Sequence, residues 1–201
     1  IVVFNFPPGD TVALNQQGQD FYTLAKHHPE GSAGIRADKR TYGEVVSVAT
    51  RLRVETPHAP AMLSGPRILV MPEPNRLQAY ADARWSERIP LLLRDRLLEG
   101  LRDRGRLRAQ DDNSPLAVDV ALVSDLRAFH SEYANGVPEV VIRLDATLVD
   151  ERTQALLAER RFEFREPSTG TVLESVVEAF GRAADRLAAD LADWSAEALT
   201  R

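Results

Sequence analysis

The chain has 201 residues, 44% of them hydrophobic and 27% charged, with 30 acidic and 25 basic side chains and a formal net charge of -5. That is enough chain for one domain with a real core, and the acidic balance excludes nucleic acid as a partner, because such binding needs a basic field to release counterions from phosphates. Cysteine is absent, which removes disulfides, thiolate catalysis and thiolate metal ligation together, and no apolar run approaches the roughly 20 residues that span a bilayer.

The start, IVVFNFPPGD, lacks an initiator Met and the basic, apolar and small-residue pattern of a signal peptide, so the chain is expected to be a processed or truncated form. Ile1 to Phe6 can form a strand, Pro7-Pro8-Gly9-Asp10 is a turn signal, and Lys26 to Arg40 reads as an exposed loop or linker. Residues 1–44 are expected to be a partly irregular N-terminal segment and linker, and 45–201 a single domain. Only Lys26 and Lys39 are lysines; the excess of arginine reads as codon usage in a GC-rich genome.

From Val45 the periodicity sharpens. Val46, Val48, Leu52 and Val54 fit a strand, apart from a polar interruption at Thr50. Arg67 to Met71 is a short strand ended by Pro72 and Pro74. Arg76 to Trp85 is another, with Leu77, Ala79, Ala81 and Ala83 on one face and Gln78, Tyr80, Asp82 and Arg84 on the other. Trp85 is expected to point into the core with Leu77 and Ala83.

Ser86 is a plausible N-cap for the helix that follows, with Glu87 in its first turn and Pro90 early enough to be tolerated. Ile89, Leu93, Leu97 and Leu101, flanked by Leu92 and Leu98, form its apolar stripe. Arg94, Asp95, Arg96, Glu99, Arg102 and Asp103 take the other side, and Gly105 stops the helix.

After a turn at Asp111 to Pro115 comes a three-strand run. Val118, Val120, Leu122 and Leu126 share a phase that Phe129 breaks, which predicts a bulge near Arg127 and Ala128. Asn135-Gly136 offers a tight hairpin. Val140, Ile142, Leu144, Ala146 and Leu148 alternate with polar residues, Asp150 to Thr153 turns the chain, and Leu156, Ala158, Phe162 and Phe164 are read inward in the last strand.

Thr171 and Glu174 have capping-box spacing. They open a helix whose stripe runs Leu173, Val176, Val177, Phe180, Ala184, Leu187, Leu191, Trp194 and Ala198, roughly 40 Å long at 1.5 Å per residue. The expected fold is an α/β (α+β) two-layer sandwich, a mixed and largely antiparallel sheet with two long amphipathic helices on one face.

Nothing in this order assembles a catalytic set. His27 and His28 sit in a polar stretch with no further ligand at helix or hairpin spacing, His58 and His130 have no recognisable partner, and Asp111-Asp112 reads as turn chemistry. Gly31-Ser32-Ala33-Gly34 is not a phosphate loop, and no nucleophile elbow occurs. Catalytic residues, cofactor and metal are all expected to be absent.

Two surface groups stand out as candidate partner contacts. Arg102, Arg104, Arg106 and Arg108 bracket Gly105, where cations favour a helix C-terminus or meet a phosphate headgroup or an acidic partner. Tyr80 and Arg84 are the second group, because exposed Tyr and Arg together suit an interface.

The block RILVMPEPNRLQAYADARWSERIPLLLRDRLLEGLRDRG (Arg67 to Gly105), followed by LRAFHSEY, VVIRLDATLVD and ADLADWSA, resembles the ABC-type transport auxiliary lipoproteins, the paraquat-inducible protein C-like partners of MCE systems. Phe21-Tyr22-Thr23-Leu24 resembles the segment with which such proteins enter their domain. The resemblance implies a non-enzymatic lipoprotein of the Gram-negative periplasm, anchored through an upstream lipidated cysteine that is absent from this chain, usually to the outer membrane. It also implies docking to an MCE-domain protein and an ABC permease and ATPase that move phospholipid between the membranes, and assembly into a homo-oligomeric ring. A free-standing carrier of lipid or another small hydrophobic ligand is the alternative, and it requires a sizeable apolar cavity between helices and sheet. An enzyme requires metal held near His27 and His28.

Overall fold

The computed structural model describes residues 2–4, 50–134 and 136–200. The readings placed on Asp10 to Arg40, the histidine pair included, and the first half of the strand read from Val45 lie outside these residues. Among the described residues eight strands form one sheet: β1 (Val2–Phe4), β2 (Arg51–Val54), β3 (Arg67–Glu73), β4 (Arg76–Trp85), β5 (Arg108–Asp111), β6 (Val120–Ala134), β7 (Val137–Asp150) and β8 (Leu156–Pro167). Among the described residues there are two helices, α1 (Ile89–Arg104) and α2 (Leu173–Thr200).

The sheet is organised around β6. One edge of β6 pairs antiparallel with β7 along its whole length, and β7 pairs antiparallel with β8. The opposite edge is shared end to end by two shorter parallel strands, β2 at Val120 to Leu122 and β3 at Ser131 and Glu132. Beyond them lie β5, parallel to β2, on one half and β4, antiparallel to β3, on the other. β1 adds parallel to the end of β4, from Ala83 to Trp85.

The expected bulge is present, as a register shift between Leu126 and Ala128. The extra residue puts Leu126 and Phe129 on one face, so β6 stays apolar inward on both sides of it. Gly136, at φ 83, makes the β6–β7 turn with a backbone that glycine adopts without strain.

The apolar face of the sheet and both helices enclose one core. Leu52, Val54, Ile68, Leu122, Leu126, Ile142, Leu144 and Leu148 are inaccessible to solvent from the sheet side, as are Leu93, Leu97, Phe180, Leu187 and Leu191 from the helices. Trp85 stands edge-on to Phe129 and Phe180 at centroid distances of 6.0 and 5.3 Å, and the two phenylalanine rings stack at 4.9 Å. Such clusters add about 0.5–1.5 kcal/mol per pair beyond area burial.

The helices run parallel, because their contacts advance together. Arg96 pairs with Asp185 at 2.5 Å, Gly100 lies against Ala188, and Arg104 reaches Asp193 at 3.3 Å. A Cβ on Gly100 would fall 2.8 Å from that of Ala188, so glycine here sets how closely the two helices approach.

Several details differ from the sequence reading. Helix α1 starts at Ile89 with Arg88 before it, and Ser86 does not cap it. The Ile89 N–H instead donates to the Gly65 carbonyl at 3.2 Å, and Pro90 has no N–H to satisfy. Arg94, read on the solvent side of α1, is buried. Leu156, read inward, is 59% exposed because the ladder shifts register next to it, between Leu148 and Val149. β5 has no counterpart in the sequence reading.

Candidate functional site

At the end of α1, Gly105 adopts φ 64 and returns its N–H to the Arg102 carbonyl at 3.0 Å, the left-handed stop expected of it. The chain then enters β5, whose Arg108 N–H donates to the Thr50 carbonyl at 3.0 Å. These two constraints fan out the four arginines. The Arg102 guanidinium donates to the Ala109 carbonyl at 3.3 Å and Arg104 pairs with Asp193, so both brace the helix end. Arg106 and Arg108 are exposed and form no ion pair among the described residues.

Arg108 lies beside Arg51 in the parallel register of β2 and β5. Arg51 is engaged, donating to both carboxylate oxygens of Asp119 at 3.1 and 2.6 Å, while Asp119 also accepts the Arg51 backbone N–H at 2.9 Å. The Arg51 side-chain hydrogen bonds, joined by that backbone bond, hold the Asp119 carboxyl down to about 2. Arg51 and Arg108 border a shallow depression of about 270 Å³ with Ala109, Gln110, Leu116 and Ala117. Leu116 is 67% exposed at its rim, so this corner joins free guanidinium to bare aliphatic surface.

The second group divides. The Tyr80 hydroxyl lies 3.1 Å from Ser131 Oγ, its ring packs against the core, and burial pushes its phenol above the ordinary value. Arg84 is exposed, opposite Arg67 across the β3–β4 pair. The alternation that put both residues on one polar face fails because β4 bends at Asp82, where φ is 56 and the register with β3 shifts.

The outer face of the β6–β8 meander is charged but self-contained. Arg127 and Arg161 both donate to Asp145, at 3.0 and 2.6 Å. Arg143 donates to Glu163 at 2.9 Å, and Arg165 donates to Glu139 and Glu132 at 3.0 and 3.2 Å. His130, which the sequence left without a partner, lies 3.0 Å from Glu132.

Asp111 makes the expected turn bond to the Asn113 N–H at 2.9 Å. Asp112 does more than turn the chain: it accepts from the Thr56 N–H and hydroxyl at 2.9 and 2.6 Å and from buried Arg94 at 2.7 Å. That carboxylate joins the segment after β2, α1 and the β5 turn, and its Thr56 and Arg94 bonds outweigh desolvation to lower its pKa.

No group of three or more His, Cys, Asp or Glu among the described residues could hold a metal ion, and no helix there is long and apolar enough to cross a membrane. A second depression is lined by Thr56, Pro57, His58, Ala59, Ser64, Arg88, Pro90 and Leu91. Neither is lined by Trp85, Phe129 or Phe180.

A family model described as the ABC-type transport auxiliary lipoprotein component matches residues 37–192. Among solved structures, protein XCC0632 from Xanthomonas campestris is 30% identical, with a TM-score of 0.72 over 76% of this chain and 87% of that one. An uncharacterized protein, 20% identical, gives 0.62 over 71% and 90%. Protein CT253 from Chlamydia trachomatis, 8% identical, gives 0.51 over 74% and 96%; these last two share the fold alone. No curated protein matches the chain.

Proposed function

We propose that this chain, which belongs to the ABC-type transport auxiliary lipoprotein component family, is a non-enzymatic docking subunit. It works in the periplasm, tethered to the outer membrane, where it meets an MCE-domain protein and supports phospholipid trafficking driven by a separate permease and ATPase. The body from residue 45 onward is the working domain. A homo-oligomeric ring facing the MCE tunnel is part of this reading.

The observation that carries docking over carriage is the filled interior. Trp85, Phe129 and Phe180 close the space beneath α2, and leucines from α1 and β2 close the rest. A carrier needs a cavity of some 300–1,000 Å³ there to take an acyl chain. The free groups lie outside instead: Arg84, Arg106 and Arg108 are exposed and without an ion pair among the described residues. Unpaired guanidinium beside exposed Leu116 suits an acidic rim with an apolar centre on a partner protein.

The test is a pull-down of the purified protein with its MCE-domain partner, combined with native mass spectrometry after mild extraction. A lipid-free protein that binds the partner supports docking. A folded protein that fails to bind overturns it, and a monomer carrying phospholipid favours the carrier.

A further inference from the structure

The two ends of the sheet differ in what their connections carry. β6 runs 15 residues, about 50 Å at roughly 3.3 Å per residue. Three connections meet at its Ala134 end: the β3–β4 turn, the β6–β7 turn and the segment from β8 into α2. The Ser168 N–H donates to the Pro138 carbonyl at 2.9 Å, which ties the last two together, and Met71 near the end of β3 lies beside Glu132 near the end of β6. At this end Tyr133 is 41% exposed, Val137 45% and Val172 60%, and the Tyr133 hydroxyl interacts with that of Tyr80.

No charged residue occurs from Tyr133 to Pro138 or from Pro167 to Val172. Of the charges nearby, Glu73 and Arg76 pair with each other at 3.5 Å, and Glu166 accepts from Arg182 and Arg186. Glu174 lies in the first turn of α2, where a helix favours an anion. Leu116, Leu156 and Leu157 are exposed toward the opposite end, but that end also carries the free Arg106 and Arg108 and the charged turn from Asp150 to Arg152. Arg108 is placed there by the register, beside Arg51, with Leu52 beside Val120 at the start of β6.

The direction of β1 is an independent observation. It runs parallel to β4, with Val2 beside Ala83 and Phe4 beside Trp85, so the chain that precedes Val2 heads back along β4 toward Arg76, at the neutral end. β3 and β4 separate that path from β6 and β7. In a lipoprotein held by its N-terminus, the tether and the neutral end therefore face the same way. We propose that the end of the sheet bearing Tyr133, Val137 and Val172 rests in the headgroup layer of a zwitterionic phospholipid membrane, with Arg106 and Arg108 turned away from it. Exposed apolar surface without charge enters such a layer at little cost, and tyrosine favours it because its ring is apolar and its hydroxyl is wet. This orientation rests on the tethered docking reading and sharpens it: the free arginines are presented to the protein partner rather than to lipid.

The absence of cysteine lets single reporters be placed. The chain, with a hexahistidine tag before Ile1, is bound to phosphatidylethanolamine–phosphatidylcholine vesicles through a minor nickel-chelating lipid, with a nitrobenzoxadiazole label on Val137→Cys, Val172→Cys or Arg152→Cys. Labels at 137 and 172 should brighten about threefold, shift to the blue and be quenched by spin-labelled acyl chains, while the label at 152 stays as in water. Val172→Asp should reduce the response at 137 by about half, as Val137→Asp should that at 172, with circular dichroism unchanged. A tag placed after Arg201, beyond the far end of α2, separates affinity from tethering, and 137 and 172 should still respond more than 152. A pattern that reverses with the tag overturns the orientation, as does an equal response at all three positions or none at 137 and 172. So does a response that grows with concentration in the absence of vesicles, which marks a contact between copies. Binding of the MCE-domain partner is measured alongside. Its failure with the label responses intact removes docking and leaves the membrane face, and its persistence without them does the reverse.

Discussion

The arginines of the meander face and those after Gly105 have the same chemistry and opposite circumstances. Arg127, Arg143, Arg161 and Arg165 each meet a carboxylate on their own or a neighbouring strand, whereas Arg106 and Arg108 meet none among the described residues. A guanidinium that already has its carboxylate has little left to offer a partner, so charge density alone misplaces the interface. The face with the most charge is the one most satisfied internally, and the corner with the least pairing is the better docking candidate.

Substitutions can break that contrast, and the largest effect is expected inside the fold. Arg94→Ala removes the buried cation that Asp112 and Asp95 share and should cost about 2–3 kcal/mol in chemical denaturation, with partner binding unchanged in the folded fraction. A loss below about 0.5 kcal/mol would show that the Thr56 bonds alone hold the junction.

Acid comes next. Hydrogen bonds from Arg161, followed by those from Arg127, hold Asp145 down to about 2, as Arg51 holds Asp119. Folded-state values below the unfolded ones mean that the stabilisation is complete above about pH 4 and is lost as pH falls from there through about 2. Asp145→Asn should flatten that part of the stability–pH curve; a curve of unchanged shape would assign the acid loss to other groups.

The smallest effect on stability belongs to the free corner. Arg106→Glu with Arg108→Glu should leave stability within about 0.5 kcal/mol and weaken MCE-partner binding at least tenfold, with a shallower salt dependence. Normal binding by this double variant removes the corner from the interface.

What was legible in the sequence follows the range of the forces involved. The alternation of β7, the stripe of α2, the Gly105 stop and the bulge beside Arg127 are local patterns, and each is present. β5 was missed because Arg108-Ala109-Gln110-Asp111 carries no alternation and is a strand only by pairing with β2. Arg94 was misplaced because its burial depends on Asp112, which a turn brings back from beyond β5. The pairing of Arg104 with Asp193 and the freedom of Arg106 could not be read from spacing, since both depend on how α2 lies beside α1. Tyr80 and Arg84 looked alike in the sequence because a bend at one aspartate is invisible to a period of two.

The two edges of β6 also differ in how far apart their partners lie along the chain. β7 follows β6 through a tight turn, so their ladder closes with little loss of chain entropy. β2 and β3 must be brought back from Leu52 and Val70 to Val120 and Ser131. Contacts between distant residues are the slow ones to form, so the meander is expected to assemble first and act as the template on which the N-terminal strands and α1 are laid. Folding would then proceed from the C-terminal half of the described chain toward the N-terminal half, against the order of synthesis.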